Sequence, residues 1–293
     1  MDFAYGVARE LAPGVLRLVA NNPGPFTFKG TNTYLVGRGD DLALIDPGPE
    51  DIAHRDAILA AVGRRRVSHI LITHTHRDHV DGLPALVAAT GARTGGFGRR
   101  AAQRGTTRIS ASGGEYVDED FAPDVQLSHG DRLAGDGWAF TALHTPGHAP
   151  DHLCFELEGT GVLFSGDHVM GWNTSVVAPP EGSMGAYIRS LQRLTERSDE
   201  LYFPGHGGQV GEPQRLVKAY LLHRRMREQS ILECIRGGND TVRTIVPIVY
   251  KDLDPKLLNA ASLSVLAHVE HLIERGLVYC GSPLSVDRAL SIS

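Results

Sequence analysis

Three imidazoles and one carboxylate fall within six residues at His74-Thr75-His76-Arg77-Asp78-His79. Neutral imidazole nitrogen and carboxylate oxygen are the donors that zinc takes. Histidines at i, i+2 and i+5 with an aspartate at i+4 cannot all reach one ion, so this stretch offers donors to two. The apolar run Ile70-Leu71-Ile72 directly before it reads as a buried strand that ends at a site. Fourteen histidines in 293 residues do not by themselves make a metal protein, so the remaining donors have to be found.

They appear downstream, each just past a strand-like run and beside glycine. His148 lies in Thr145-Pro146-Gly147-His148, Asp167 in Leu163-Phe164-Ser165-Gly166-Asp167, and His206 in Tyr202-Phe203-Pro204-Gly205-His206. Glycine there lets the backbone turn sharply and approach a metal without a Cβ clash. Asp46, in Leu44-Ile45-Asp46-Pro47-Gly48, completes the series. Asp-Pro-Gly is ordinary turn chemistry. The functional reading, preferred because its strand ends on the same presumed edge, is an acceptor that orients a ligand histidine. His152 and His168 flank this set. His152 reads as a hydrogen-bonding support for the site, and His168 as pocket-lining or structural. The other histidines carry no partner signal and read as structural or solvent-facing.

On Asp46, His74-x-His76-x-Asp78-His79, His148, Asp167 and His206 the chain resembles the metallo-β-lactamase superfamily, over about residues 10–210. The resemblance implies an αββα sandwich with a dinuclear site at one edge of its two sheets. By position, His74, His76 and His148 would hold one metal, Asp78, His79 and His206 the second, and Asp167 would bridge them. The family often has Trp where this chain has Thr75, a change expected in the pocket wall and not in the ligands. Asp167 stands in place of the Cys ligand or altered second site of the antibiotic-destroying members, which argues against that activity. The segment from Asn22 to Tyr34 and the C-terminal tail resemble the beta-lactamase-like protein 2 branch, with its winged-helix extension. That branch implies a single-strand endoribonuclease.

The elements that must position these residues alternate between strand and helix, the mark of an α/β layered fold. Strands are expected at 15–19, 33–36, 69–73, two within 125–144, 152–157 and 161–165. Helices are expected at 50–62, with Ile52, Ile58, Leu59 and Val62 on the apolar face, at 83–89 and at 184–196. The Gly/Pro/Asn-rich segment 21–32 is either a surface hairpin or a flap over the site. Arg93, Arg99, Arg100, Arg104 and Arg108 form a solvated face or an anion-contacting patch. After Gly211-Glu212-Pro213 the character changes. Helices at 213–236, near 241–250 and at 255–276, then a strand from Leu277, give a winged-helix pattern. Glu270 and Glu274 make its last helix a poor phosphate-facing surface, so a structural or dimer-forming role is preferred. The division is therefore 1–212, an αββα metallo-β-lactamase-like domain, and 213–293, a small winged-helix-like domain.

Apolar content of 42% and charged content of 22% are ordinary for a globular chain. The net charge of −5 gives no global reason to bind nucleic acid. Cys154, Cys234 and Cys280 lack C-x-x-C spacing and suit a reducing compartment. There is no signal-like start and no apolar run of about 20 residues, so a cytoplasmic protein away from the membrane is expected. The expected activity is hydrolysis by a hydroxide bridging two divalent ions about 3.5–4 Å apart. The ions are expected to be zinc, with manganese or iron as alternatives, and Asp78 and Asp167 the catalytic carboxylates. A small ester, thioester, lactone or lactam is the first substrate class. Single-stranded RNA is the alternative, on a positive groove of Lys29, Arg99, Arg100, Arg104 or Arg224–Arg225. A non-catalytic nucleic-acid-binding or metal-sensing protein is the third, and a homodimer is compatible with each.

Overall fold

The computed structural model describes residues 2–98, 121–281 and 283–293. Arg99, Arg100, Arg104 and Arg108 therefore lie outside the described residues, and of that group only Arg93, exposed, is within them. Seven strands run in chain order across the first sheet: β1 Arg9–Ala12, β2 Val15–Val19, β3 Asn32–Val36, β4 Asp41–Ile45, β5 Arg66–Leu71, β6 Arg93–Gly96 and β7 Val125–Gln126. The second sheet has the order β12-β11-β10-β9-β8, built from β8 Arg132–Gly135, β9 Trp138–His144, β10 Leu153–Leu157, β11 Val162–Gly166 and β12 Leu201–Pro204.

Alternation along each strand sorts the side chains into layers. In β3 and β4, Tyr34, Val36, Ala43 and Ile45 face the second sheet, where they meet Phe140, Phe155, Phe164 and Phe203. Burying a side chain such as Phe155, wholly removed from solvent, contributes roughly 1.5–3 kcal/mol. The intervening Leu35, Leu42 and Leu44 point outward beneath two helices, α1 Ile52–Val62 and α3 Leu83–Thr90. A single turn, α2 Arg77–Val80, precedes α3. The outer face of the second sheet, with Leu143, Leu163 and Tyr202, is covered by α4 Met184–Thr195 and the start of α5 Pro213–Arg236. The result is a helix–sheet–sheet–helix sandwich. Ile52 departs from expectation. It is 69% exposed at the first helical position, while α1 buries Ile58 and Val62 as expected and also His54, because at about 100° per residue Ile52 does not share a face with Ile58.

The distal half of α5, α6 Val242–Val249, α7 Leu258–Glu274 and the hairpin β13 Val278–Cys280 with β14 Leu290–Ile292 enclose a second core around Ile231, Ile245, Val265 and Leu272. The expected helix at 255–276 is a 3-10 turn, Pro255–Leu257, followed by α7. Val217 and Tyr220 of α5 and Ala267 of α7 join the core over the second sheet, so the C-terminal layer is packed on the sandwich. No helix among the described residues is long and apolar enough to cross a membrane.

Strand register decides where the site lies. Parallel pairing sets Ile45 beside Leu71, and the Asp46 N–H donates to the Leu71 carbonyl at 2.9 Å. Parallel pairing of β11 and β12 sets Gly166 beside Pro204. The two sheets are stitched at this same edge by Asn32 N–H to the Gly205 carbonyl and Leu153 N–H to the Thr73 carbonyl, both 2.7 Å.

Candidate metal centre

All seven donors expected from the sequence converge on that edge. His74, His76 and His148 form one group and Asp78, His79 and His206 another, each with donor atoms within 4.8 Å of one another. Asp167 reaches toward both. Its Oδ2 lies 3.2 Å from His206 Nε2 and 3.8 Å from His148 Nε2, and its Oδ1 lies 3.6 Å from His79 Nε2. Asp78 Oδ2 is 3.4 Å from His79 Nε2 and 3.3 Å from His206 Nε2.

The outer partners fix which ring nitrogen faces inward. Thr73 Oγ1 donates to Asp46 Oδ2 at 2.7 Å, so it can only accept from His74 Nδ1–H at 3.0 Å. His79 Nδ1–H donates to Asp46 Oδ2 at 2.9 Å, His148 Nδ1–H to the Val176 carbonyl at 2.6 Å, and His206 Nδ1–H to the Gly30 carbonyl at 3.3 Å. Each of these four rings then turns its Nε2 toward the centre. The inward nitrogens approach closely. His74 Nε2 and His148 Nε2 lie 2.9 and 3.0 Å from His76 Nδ1, and His79 Nε2 lies 3.3 Å from His206 Nε2. Ring nitrogens held this close repel unless a proton or a metal ion lies between them. Asp167 Oδ1 is also buried without a hydrogen-bond partner. This donor set fits divalent cations.

The electrostatics agree. Burial alone would push His79 and His206 down. Asp78 raises His79 well above its ordinary value, and Asp167 with Asp78 holds His206 up at about 10. Asp78 and Asp167 are held far below the usual carboxylate range, against burial, by those two rings. His74, with other imidazoles around it, is instead driven well down by burial. The carboxylates that raise these two buried rings would equally favour a bound cation.

Asp46 sits at φ 51, in the left-handed region, directly after β4. Besides the bonds already given, its Oδ1 accepts from Thr73 N–H at 2.8 Å. One carboxylate thus aligns His79 directly and His74 through Thr73, so it serves both groups. His152 is buried beneath the centre. Its Nε2 accepts from Asp167 N–H at 3.1 Å, while Nδ1 pairs with Thr145 Oγ1 at 2.8 Å. His168 is also fully buried, with both ring nitrogens unpartnered and its ring 4.7 Å from that of Tyr187. Burial lowers it to about 3. It lies below the centre and does not line the adjoining cavity. Gly205 explains its own identity: a Cβ there would lie 2.3 Å from Asp167 Oδ1 and 2.7 Å from His79 Cε1.

Sequence reasoning missed several contributors. Thr31 Oγ1 donates to Asp78 Oδ2 at 2.9 Å, and Asn22 bonds Thr31 at both its N–H and its Oγ1, so segment 21–32 is tied to a candidate ligand. The Phe28 ring of that segment stacks on Trp172 at 4.9 Å. Asp151 accepts from both N–H and Oγ1 of Thr75, and Glu181 lies 3.7 Å from His76 Nε2. Neither carboxylate has a local signal in the sequence. His54 is buried against Thr33 Oγ1 at 2.9 Å.

Residues 26–206 match the family described as the metallo-beta-lactamase superfamily, and residues 241–280 match the beta-lactamase associated winged helix domain. The chain is 33% identical over 280 residues to the Beta-lactamase-like protein 2 homolog of Drosophila melanogaster, spanning 91% of this chain and 90% of that protein. It is 29% identical over 251 residues to an atrochrysone carboxyl ACP thioesterase of Claviceps purpurea, spanning 82% and 73% of the two chains. The crystal structure of a metallo-beta-lactamase family protein from Thermus thermophilus superposes with a TM-score of 0.78 at 25% identity, over 97% of this chain and all of that one. The chain belongs to the metallo-beta-lactamase superfamily, as a hydrolase that carries the family's associated winged helix domain.

Proposed function

We propose that this hydrolase uses two divalent ions to cleave a small thioester or ester. His74, His76 and His148 would hold one ion, Asp78, His79 and His206 the other, with Asp167 shared between them. When bound, such ions polarise the attacked carbonyl and lower the pKa of water toward neutrality. The observation that carries this reading is the set of imidazole nitrogens aimed at one another across 2.9–3.3 Å, with Asp78 and Asp167 among them. Zinc is the first choice for a nitrogen-and-carboxylate set, with iron or manganese as alternatives.

The chain's own residues supply the alignment. Asp46 with Thr73 sets two rings, and His152 fixes the Asp167 backbone. The substrate class is supported by the relative named as a thioesterase and by a cavity of about 230 Å³ lined by His148 and Asp167. That volume suits an acyl group better than a strand of RNA. The wall facing the cavity from α5, Tyr250 and α7 suggests that the part beyond residue 212 closes a substrate pocket, a different task from reading a nucleic-acid groove. Metal content should be measured on the same preparation as turnover of a thioester, a lactone, a chromogenic lactam and a single-stranded RNA, with Asp78→Ala as control. About two equivalents of metal and Asp78-dependent thioester cleavage are expected. RNA cleavage without thioester turnover would reject the substrate class. Failure of the reconstituted protein to retain metal would reject the centre.

A further inference from the structure

The cavity beside the metal centre has a second polar region, contributed by consecutive turns of α5. His148 and Asp167 line it, and so do His223, Arg224 and Arg227. Arg224 is 3% exposed. Its Nη2 donates to the Ser175 carbonyl at 2.5 Å and its guanidinium lies 5.2 Å from the Tyr187 ring centre, yet Nε has no partner. Arg227 donates to the Val249 carbonyl at 2.7 Å and lies 4.1 Å over the Tyr250 ring. Among the described residues neither guanidinium meets a carboxylate. Glu228, the nearest acid along the helix, is engaged by His271 at 2.7 Å and Arg275 at 2.8 Å. Trp172 Nε1–H and His223 Nδ1, also on the cavity wall, are buried without partners. Asp167, at the metal end, is the one carboxylate among the described lining residues.

A buried guanidinium without a counter-ion is costly, and a second arginine at i+3 adds repulsion. Burial and the two arginines hold His223 below its ordinary value. Unused donors concentrated at one end of a cavity, with no acceptor to meet them, describe a place for an oxyanion.

We infer that the substrate carries a second, oxyanionic group, a carboxylate or a phosphate-type anion, which Arg224, Arg227, His223 and Trp172 bind while its carbonyl lies at the metal centre. This rests on the hydrolase reading above and names its substrate class: an acyl thioester or ester bearing a negative charge away from the bond that is cut. Arg227 and Arg224 are positioning residues for that charge.

The test is kcat/KM on N-acetylcysteamine thioesters whose acyl chains match in length and end in methyl, carboxylate or phosphonate, with the butyryl thioester of 3-mercaptopropionate to put the charge on the thiol side. The metal-loaded full chain should favour an anionic member over the methyl one by about tenfold or more, because a site built for a polar group discriminates strongly against its absence. The preferred member identifies the anion and its side. Arg227→Gln should reduce the preference below about threefold, chiefly through KM. Arg224 also holds the Ser175 carbonyl, so its second variant is Arg224→Lys, which keeps the charge and loses the planar fork. Arg225→Gln, exposed on the same helix, should keep the wild-type ratio. A wild-type ratio near one, or a ratio retained in both Arg227→Gln and Arg224→Lys, overturns the inference. If no thioester turns over, the proposed reaction fails, and calorimetry with glutarate and propylphosphonate decides the anion site separately. Binding weakened about tenfold by Arg227→Gln supports it, and no binding of either to the wild type overturns it.

Discussion

Asp46 gives the sharpest test of how the centre is organised, and Asp46→Asn is the informative change. Asparagine keeps the shape of the side chain and tolerates the left-handed backbone found at φ 51, so backbone strain is held constant. What changes is hydrogen-bond polarity. The carboxylate accepts three bonds, from Thr73 N–H, Thr73 Oγ1 and His79 Nδ1–H, at 2.7–2.9 Å. An amide has one accepting oxygen. If its NH2 takes the Oδ2 position it faces two donors, and if it takes the Oδ1 position it faces the Thr73 N–H. Either way a fully buried donor loses its acceptor, at a cost of about 1–3 kcal/mol. The first arrangement releases His79 directly and frees Thr73 to rotate away from His74. Loss of such an outer partner typically weakens metal binding about 10–100-fold, or roughly 1.4–2.7 kcal/mol. Because Asp46 supports one ring in each group, both ions should be affected. The assay is chelator competition followed by metal analysis, beside circular dichroism to establish that the fold is kept. Two metal-binding steps within about threefold of wild type, in a protein that has lost only thermal stability, would refute the idea that this carboxylate aligns the ligands.

Gly205→Ala places a methyl 2.3 Å from Asp167 Oδ1. Metal stoichiometry and turnover should both fall, whereas Gly211→Ala, with nothing within 4 Å, should change stability by less than about 0.5 kcal/mol. Full metal content in Gly205→Ala would contradict the geometry. Glu228 carries a pH prediction. Burial alone would raise its pKa, but His268 and His271 hold it down at about 2 against an ordinary 4.5. A carboxyl depressed in the folded state stabilises above its unfolded pKa, and that contribution is lost as pH falls from about 4.5 toward 2. With allowance for solvent reaching His271 and Arg275, the contribution is about 1–3 kcal/mol. Chemical denaturation of wild type and Glu228→Gln should therefore converge in stability toward pH 2–3 and separate above pH 5, and parallel curves would argue against the assignment.

What could be read from the sequence was local. His74, His76, Asp78 and His79 lie within one short segment after β5, so residue types and spacing alone expose them. His148, Asp167 and His206 each follow a strand at a glycine; the parallel pair β11–β12 brings two of those strand ends to one edge, and β9, antiparallel to β10 as β10 is to β11, brings the third. Helix rotation was less legible. Ile52 is apolar by type, yet α1 turns it to solvent and buries His54, because Ile52 and Ile58 lie about 240° apart on the helix and only one of those faces meets the sheet. Arg224 and Arg225 are adjacent in sequence and read alike, but one is buried under the Ser175 carbonyl and the other is exposed. Only the packing of α5 across α4 separates them.

That packing also explains why the C-terminal part was the hardest to interpret. Read as an isolated winged helix, it has an acidic last helix and no evident ligand. Its polar purpose becomes visible only against the sandwich. There Tyr220 and Arg224 reach the backbone of the loop after β11, at Met170 and Ser175, and the same loop supplies the Val176 carbonyl that orients His148. One loop therefore touches a candidate metal ligand on one side and the cationic wall of α5 on the other. A chain that lost this helix would lose part of its pocket and a support for the loop beside the centre. On the proposed reading, the C-terminal layer is one wall of the substrate cavity, lined from α5, Tyr250 and α7.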